Sequence, residues 1–191
     1  MENTTDRRVR KTKKLLRQGL VELMAQKSIQ NITVKELCAV CDINRGTFYL
    51  HYTDVFALLA AIEAELLAEF EEVLEALKPS AFGAKAPSPA MRSLFEFLSQ
   101  NADMGKALLC NNADNVFLDR VKELVRVRVM AEWGAVFTRT GSVSYEYVYS
   151  FIVSGCIGML QYWLEHDMPI PPEAMAVMME TILGKGVAAL E

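Results

Sequence analysis

Histidine, strand-like alternation and glycine-rich phosphate loops are what this chain has least of. Only two histidines, His51 and His166, stand among its 191 residues. They are too few for a three-histidine metal site and too far apart for the paired-histidine helix of metalloproteases. No G-x-S-x-G turn and no glycine-rich strand-to-helix loop occurs, which removes the usual acyl-transfer and nucleotide-phosphate chemistries. An enzyme is therefore not expected, and no cofactor or metal is implied. Cysteine is also sparse. Cys38, Cys41, Cys110 and Cys156 lie mostly in apolar runs, and the charged beginning of the chain has no secretory apolar region, so the expected compartment is reducing and cytoplasmic. Long apolar runs are nearly absent too: Tyr147 to Leu164 is free of charge, but Ser150, Ser154 and Gln161 interrupt it and Glu146 and Glu165 bracket it. Without basic anchors it suits a helix buried in a protein interface better than one crossing a membrane, and no membrane partner is expected.

What is present is apolar and unevenly charged. Apolar residues make up 52% of the chain and the formal net charge is −4, an ordinary balance for a folded protein. The charge is not evenly spread: residues 1–60 hold ten Lys/Arg and six Asp/Glu, whereas residues 61–191 are strongly acidic. A basic head on an acidic body points to a polyanion at one end only.

Periodicity reads as helix throughout. Leu16, Leu20, Leu23 and Met24 recur at helical spacing in a first helix from Arg7 to about Gln26. Thr33-Val-Lys-Glu36 is a capping box that opens a short second helix to about Val40, with the Thr33 hydroxyl and the Glu36 carboxylate each satisfying a backbone N–H. Asp42-Ile43-Asn44 is a tight turn in which Asp tolerates a left-handed backbone and Asn44 caps a third helix, Arg45 to Tyr52. Thr53-Asp54 opens a long fourth helix with Phe56, Leu59, Ile62, Leu66, Phe70, Val73 and Leu77 on its apolar stripe. Lys78 to Pro89 holds three prolines and a glycine and reads as a linker inside the larger domain, with Pro89 at the first position of a helix to about Asn101. A short segment around Met104 to Cys110 ends at Asn111-Asn112. Asp114 to Thr138 is a long helix with Leu118, Val121, Val125, Val129, Trp133 and Val136 on one stripe. Thr140-Gly141-Ser142 breaks it, Ser144 to about His166 follows, and Pro169 to Pro172 precedes a last helix. The expected fold is all-α, with about nine helices.

Three short helices over residues 7–52, with a three-residue turn before the last, meet the needs of a helix-turn-helix reader: one helix braces the backbone while the next presents side chains to the major groove. Leu37, Cys38, Ile43 and Phe48 close a small core with Leu20 and Leu23, leaving Arg45, Thr47, Tyr49 and His51 outward. Cys38-x-x-Cys41 reads as core and not as a redox or zinc pair, since no second ligand pair stands near it. Thr33 offers a hydroxyl and free N–H groups at a helix start to a phosphate.

The run from Ile32 to Asp54, with Gly46-Thr47-Phe48-Tyr49 and then His51-Tyr52, resembles the DNA-binding segment of the tetracycline-repressor (TetR) family of bacterial regulators. The resemblance is specific over about residues 8–62 and architectural beyond. It implies that Lys35, Arg45, Gly46 and Thr47 approach bases and that Thr33, Tyr49 and His51 hold phosphates. Leu50 would meet a thymine methyl, and Asn44 belongs to the same set. Two departures stand out: family members usually carry Gly where Asp42 stands and Lys where Val55 stands, the second removing a phosphate contact for which Arg7 to Lys14 could compensate.

The resemblance further implies a DNA-binding domain at 1–53 and a helical effector-binding and dimerisation domain at 54–191, with the last two helices pairing about a two-fold axis. Independently, Ser154, Gly155 and Gly158 on a charge-free helix allow a close helix–helix approach. Phe95, Phe97, Phe117, Trp133, Phe137, Tyr149, Met159, Tyr162 and Trp163 supply either an apolar effector pocket or simply a core. The expected partners are a double-stranded, palindromic operator, a second copy of the chain and an apolar small molecule that modulates or releases DNA binding. The expected role is a regulator, in the first instance a repressor. A TetR-like co-regulator or activator working through a protein partner is the rival reading, favoured by Val55.

Overall fold

The computed structural model describes residues 4–76, 88–110, 115–137 and 142–188. Leu77, most of the proline-rich linker, the Asn111-Asn112 break, Thr140-Gly141, and the side chains of Val129, Trp133, Val136 and Phe137 lie outside the described residues. Among the described residues every regular element is helical. None of their helices is long and apolar enough to cross a membrane.

The chain forms two compact units, 1–66 and 67–191. In the first, α1 spans Thr4–Met24, α2 Val34–Val40 and α3 Arg45–Tyr49, with a 3₁₀ turn at Ile29–Asn31; α4, Val55–Glu75, runs from the first unit into the second. Residues 55–66 of α4 fall within the first unit, and Val55, Leu58, Ile62 and Leu66 are buried along them.

The helices start where local chemistry predicts. Thr33 Oγ1 accepts from the Glu36 N–H at 3.2 Å, and Asp54 Oδ1 accepts from the Ala57 N–H at 2.8 Å, each satisfying a donor that the first turn leaves orphaned. The return arm of the expected capping box is replaced. Glu36 turns its carboxylate to Lys27 Nζ, 2.6 Å from both oxygens, and so ties the end of α1 to the start of α2. A full ammonium competes better for the carboxylate than one backbone N–H does. At the other end of α2 the Ile43 N–H reaches the Cys38 carbonyl at 2.9 Å, with Asp42 at φ 52°, a left-handed close of the Schellman type.

One expectation fails on α4. Phe56 was expected on the apolar stripe but is 53% exposed, and the buried positions are Val55, Leu58, Ile62 and Leu66. The run Val-Phe-Ala-Leu-Leu-Ala-Ala-Ile has no polar residue to set the phase, so the packing partner decides it. Leu16, Leu20, Leu23, Ile29, Ile32, Leu37, Cys38, Cys41 and Phe48 fill the rest of the head's core.

In the second unit α5 spans Pro89–Gln100, α6 Ala102–Gly105, α7 Asn115–Phe137, α8 Ser142–Glu165 and α9 Pro172–Ala188, with a single π turn at Lys106–Cys110. Pro89 takes the first position of α5 and Ser88 caps it, its hydroxyl accepting from the Met91 N–H. Met91, Leu94, Phe95, Ala102, Trp163, Leu164, Met175, Ala176 and Met179 make one buried cluster across α5, α6, α8 and α9. The π turn is fastened to α8 and to the turn that follows it: Gln161 Nε2 donates to the Leu109 carbonyl at 2.6 Å, and Lys106 pairs with Asp167 just after α8.

Candidate nucleic-acid interface

The site begins with the rigidity of its base. Phe48 is fully buried beneath α3, and its ring meets Tyr49 edge-on at 5.5 Å and Tyr52 at 5.9 Å. Asn44 Oδ1 accepts from the Gly46 N–H at 2.7 Å, which fixes where α3 starts. Five residues are too few to hold a helix alone, so the cap and the Phe48 anchor set the direction of everything α3 presents. It presents a polar, basic face with one apolar point. Asn44, Arg45 and Gly46 are exposed, Tyr49 is 57% exposed and Leu50 80% exposed, while Thr47 and His51 are half-buried. Thr33 and Lys35 stand exposed at the start of α2. The third helix is shorter than expected, ending at Tyr49, and residues 50–52 follow as a turn closed by the His51 and Tyr52 N–H groups on the Phe48 carbonyl.

Cys38 and Cys41 lie beneath this surface, both buried. Burial pushes both thiols above their ordinary value, and Cys41 donates its thiol to the Leu15 carbonyl at 3.2 Å. Protonated, packed thiols are poor nucleophiles and poor ligands. No group of three potential metal-ligating side chains occurs among the described residues.

The expected effector residues separate into two sets. Phe95 and Trp163 are buried with rings 5.6 Å apart in edge contact, and the Trp163 indole donates to the Ile170 carbonyl at 2.8 Å. Met159 packs against the same cluster, and Phe117 is buried on α7. Phe97 is half-buried and stacked on Phe70. Tyr149 donates to the Lys122 carbonyl at 3.0 Å. Tyr162 is apart from them: it is 63% exposed and stacked on His166.

Tyr162 instead continues an exposed line along α8 with Tyr147, Phe151, Ser154, Gly155 and Gly158. These positions recur at helical spacing on one face. A Cβ added at Gly155 or Gly158 would meet nothing within 4 Å, so the monomer's own packing does not call for glycine there. On α9, Val177, Met178 and Ile182 form a second exposed apolar line. Sequence reasoning picked out the small residues and missed Tyr147, Phe151, Val177, Met178 and Ile182. Tyr147 and Phe151 stand four residues apart, as do Met178 and Ile182, a helical spacing hidden because the opposite face of each helix is apolar as well.

Two short helices joined by a left-handed turn, the second capped and anchored so that it displays polar side chains, define a helix-turn-helix protein. A family model described as "Transcriptional regulator C-terminal region", of the TetR type, matches residues 85–185, just over half of the 191 residues. The chain belongs to the TetR family of transcriptional regulators. It is 28% identical over 185 residues to the uncharacterized HTH-type transcriptional regulator YxbF of Bacillus subtilis strain 168. The match covers 92% of this chain and 45% of that protein, so the chain spans about half the length of its relative. Among solved structures it is similar to a TetR transcriptional regulator from Streptococcus agalactiae 2603V, with 20% identity, a TM-score of 0.59, and 94% and 97% of the two chains covered. It is similar also to the transcriptional regulator FadR from Bacillus subtilis in complex with stearoyl-CoA, with 13% identity, a TM-score of 0.61, and 90% and 97% covered. At those identities the likeness is one of fold.

Proposed function

We propose that the chain is a sequence-specific, cytoplasmic DNA-binding regulator that binds a palindromic operator as a homodimer, acts chiefly as a repressor, and is modulated by an apolar small molecule. No catalysis is part of this reading. The observation that carries it is α3: a helix too short to stand alone, pinned by Phe48 and Asn44 so that Arg45, Tyr49 and Leu50 project from a basic unit. In the major groove Lys35, Arg45, Gly46 and Thr47 would meet base edges, Leu50 a thymine methyl, and Thr33, Tyr49 and His51 phosphates. The exposed lines on α8 and α9 supply the partner surface for a second copy. A two-fold dimer would set the two recognition helices about 34–36 Å apart, one helical turn of duplex. The buried aromatic and methionine cluster, together with Phe117 and Tyr149, is the region we propose for the effector, with Trp133 and Phe137 as further candidates by sequence alone. The occurrence of stearoyl-CoA in a neighbour of the same fold supports an apolar ligand.

A second reading, a co-regulator working through a protein partner, is favoured by the head of α4, where Val55 is buried and the apolar Phe56 is exposed. Binding-site selection from random DNA tests the first reading. It is expected to return a palindrome with half-sites about ten base pairs apart. Selection that enriches no sequence, with a flat response to salt, would reject DNA reading and leave the co-regulator.

A further inference from the structure

The helix-turn-helix pair accounts for only two of the head's exposed cations, Lys35 and Arg45. Most of the remainder lie on α1. Arg7, Arg8, Lys11, Lys13 and Lys14 are all exposed, whereas the side of α1 that enters the core is Leu16, Gly19, Leu20 and Leu23. Core formation therefore leaves the first three turns of α1 with little apolar work and a high density of positive charge.

The direction of those turns follows from two fixed points. Lys27, just after α1, holds Glu36 in the first turn of α2, and Leu15 accepts the thiol of Cys41 at the last turn of α2. The two helices thus run antiparallel. The segment before Leu15 therefore continues past the end of α2 at which the turn Asp42–Asn44 leads into α3. At 1.5 Å per residue, Arg7 lies about 12 Å beyond Leu15 along the axis. The cations of α1 and the start of the recognition helix therefore occupy the same end of the amino-terminal unit.

We propose that the basic turns of α1, from Arg7 to Lys14, are a second DNA-contacting surface that grips the phosphate backbone beside the half-site read by α3. This inference rests on the operator-binding reading above. The surface supplies affinity without base preference: lysine and arginine on successive helical turns match the spaced charges of a duplex and present no planar acceptor or donor set aimed at one base. It also makes up for the start of α4, where Val55 is buried and reaches no phosphate.

The test is the triple substitution Arg7→Gln, Lys11→Gln, Lys14→Gln in the full chain. These exposed positions share one face, and glutamine keeps helix propensity, so the far-UV spectrum and thermal midpoint should match the parent. Affinity for the selected operator and for a scrambled duplex of equal length is measured from low to high salt. The slope of log affinity against log salt should fall by about 0.9 for each phosphate left without its cation, roughly five units for three phosphates at each of two heads. Affinity for both duplexes should fall together, leaving their ratio unchanged. A folded variant with the parent's slope overturns the proposal, as does one that loses operator preference at constant slope. If the parent itself shows no operator preference, it is the operator-binding reading that fails. Binding of the parent to anionic phospholipid vesicles and not to duplex would assign the basic turns to a lipid surface and overturn the proposal.

Discussion

Asp42 and Asp167 hold the same backbone position in two different helices. Each stands at the left-handed residue that closes a helix, with φ of 52° and 58°, and each is followed by an N–H that returns to the last turn: Ile43 to Cys38 and Met168 to Trp163. Glycine takes this conformation without the Cβ clash, which costs an ordinary L-residue about 1–2 kcal/mol. Asp167 recovers something through Lys106, which holds its carboxyl below the ordinary value by a hydrogen bond and by charge. Asp42 is exposed and has no such strap. Asp42→Gly is therefore expected to stabilise the protein by about 0.5–1 kcal/mol, the relieved left-handed strain less the extra chain entropy that glycine loses on folding, read as a rise in urea midpoint at constant m-value, whereas Asp167→Gly should yield less because it also breaks the ion pair. On α3 two substitutions separate base reading from backbone grip: Arg45→Ala should relax base preference as well as weaken binding, costing about 1–3 kcal/mol at one position of the half-site. Tyr49→Ala should weaken binding to every duplex alike. Equal operator shifts by both variants and the parent would refute the contact assignment.

At the level of elements, two parts of the hold of α1 on α2 stand beside the Cys41 thiol hydrogen bond to the Leu15 carbonyl. Gly19 is a place of close approach between the helices, since a Cβ there would lie 2.3 Å from Cys41 Sγ and 3.3 Å from Leu37 Cδ1. Gly19→Ala is expected to cost about 1–3 kcal/mol through overpacking. Cys41→Ala should restore most of that loss, and a chemical-denaturation double-mutant cycle would show the coupling. The second part is Lys27 with Glu36. The hydrogen bond from Lys27 comes first among the causes that lower the Glu36 carboxyl from its ordinary 4.5. A depressed carboxyl stabilises the fold fully above its unfolded value and loses that contribution as pH falls through the folded one. Melting temperatures from about pH 6 down to about pH 3 should therefore drop less steeply for Lys27→Met than for the parent. Neither part could be read from the sequence. The caps Thr33, Asn44 and Asp54 were legible because a cap acts within three residues, and so was Pro89. Gly19 sits in an ordinary helical pattern and becomes special only when another helix arrives, and Glu36 had a plausible local partner that the structure replaces with a distant one. The π turn at Lys106–Cys110 left no local mark for the same reason.

For the whole molecule the decisive surface is the one that the monomer leaves uncovered. The charge-free stretch from Tyr147 to Leu164 marked the helix proposed here as the interface, and its small residues Ser154, Gly155 and Gly158 stand exposed along it. Its outward aromatics were not legible, because both faces of α8 are apolar. Phe151, 82% exposed, lies in the middle of the outward line, and in a two-fold interface any residue there occurs twice on the same surface. In the proposed two-fold dimer Phe151→Glu would place two carboxylates in a desolvated contact with no cation on the outward line of α8 to pair them, and buried unpaired charges of that kind are strongly destabilising. The variant is expected to elute as a monomer under light-scattering detection while keeping its far-UV spectrum. Without the second head, binding to a full palindrome should fall by about 10²–10⁴-fold, toward the affinity of a single half-site, because the gain from effective concentration disappears. Affinity for an isolated half-site should change little, since α3 is untouched. A Phe151→Glu protein that remains dimeric and holds the palindrome as tightly as the parent would place the two-fold contact elsewhere than on α8.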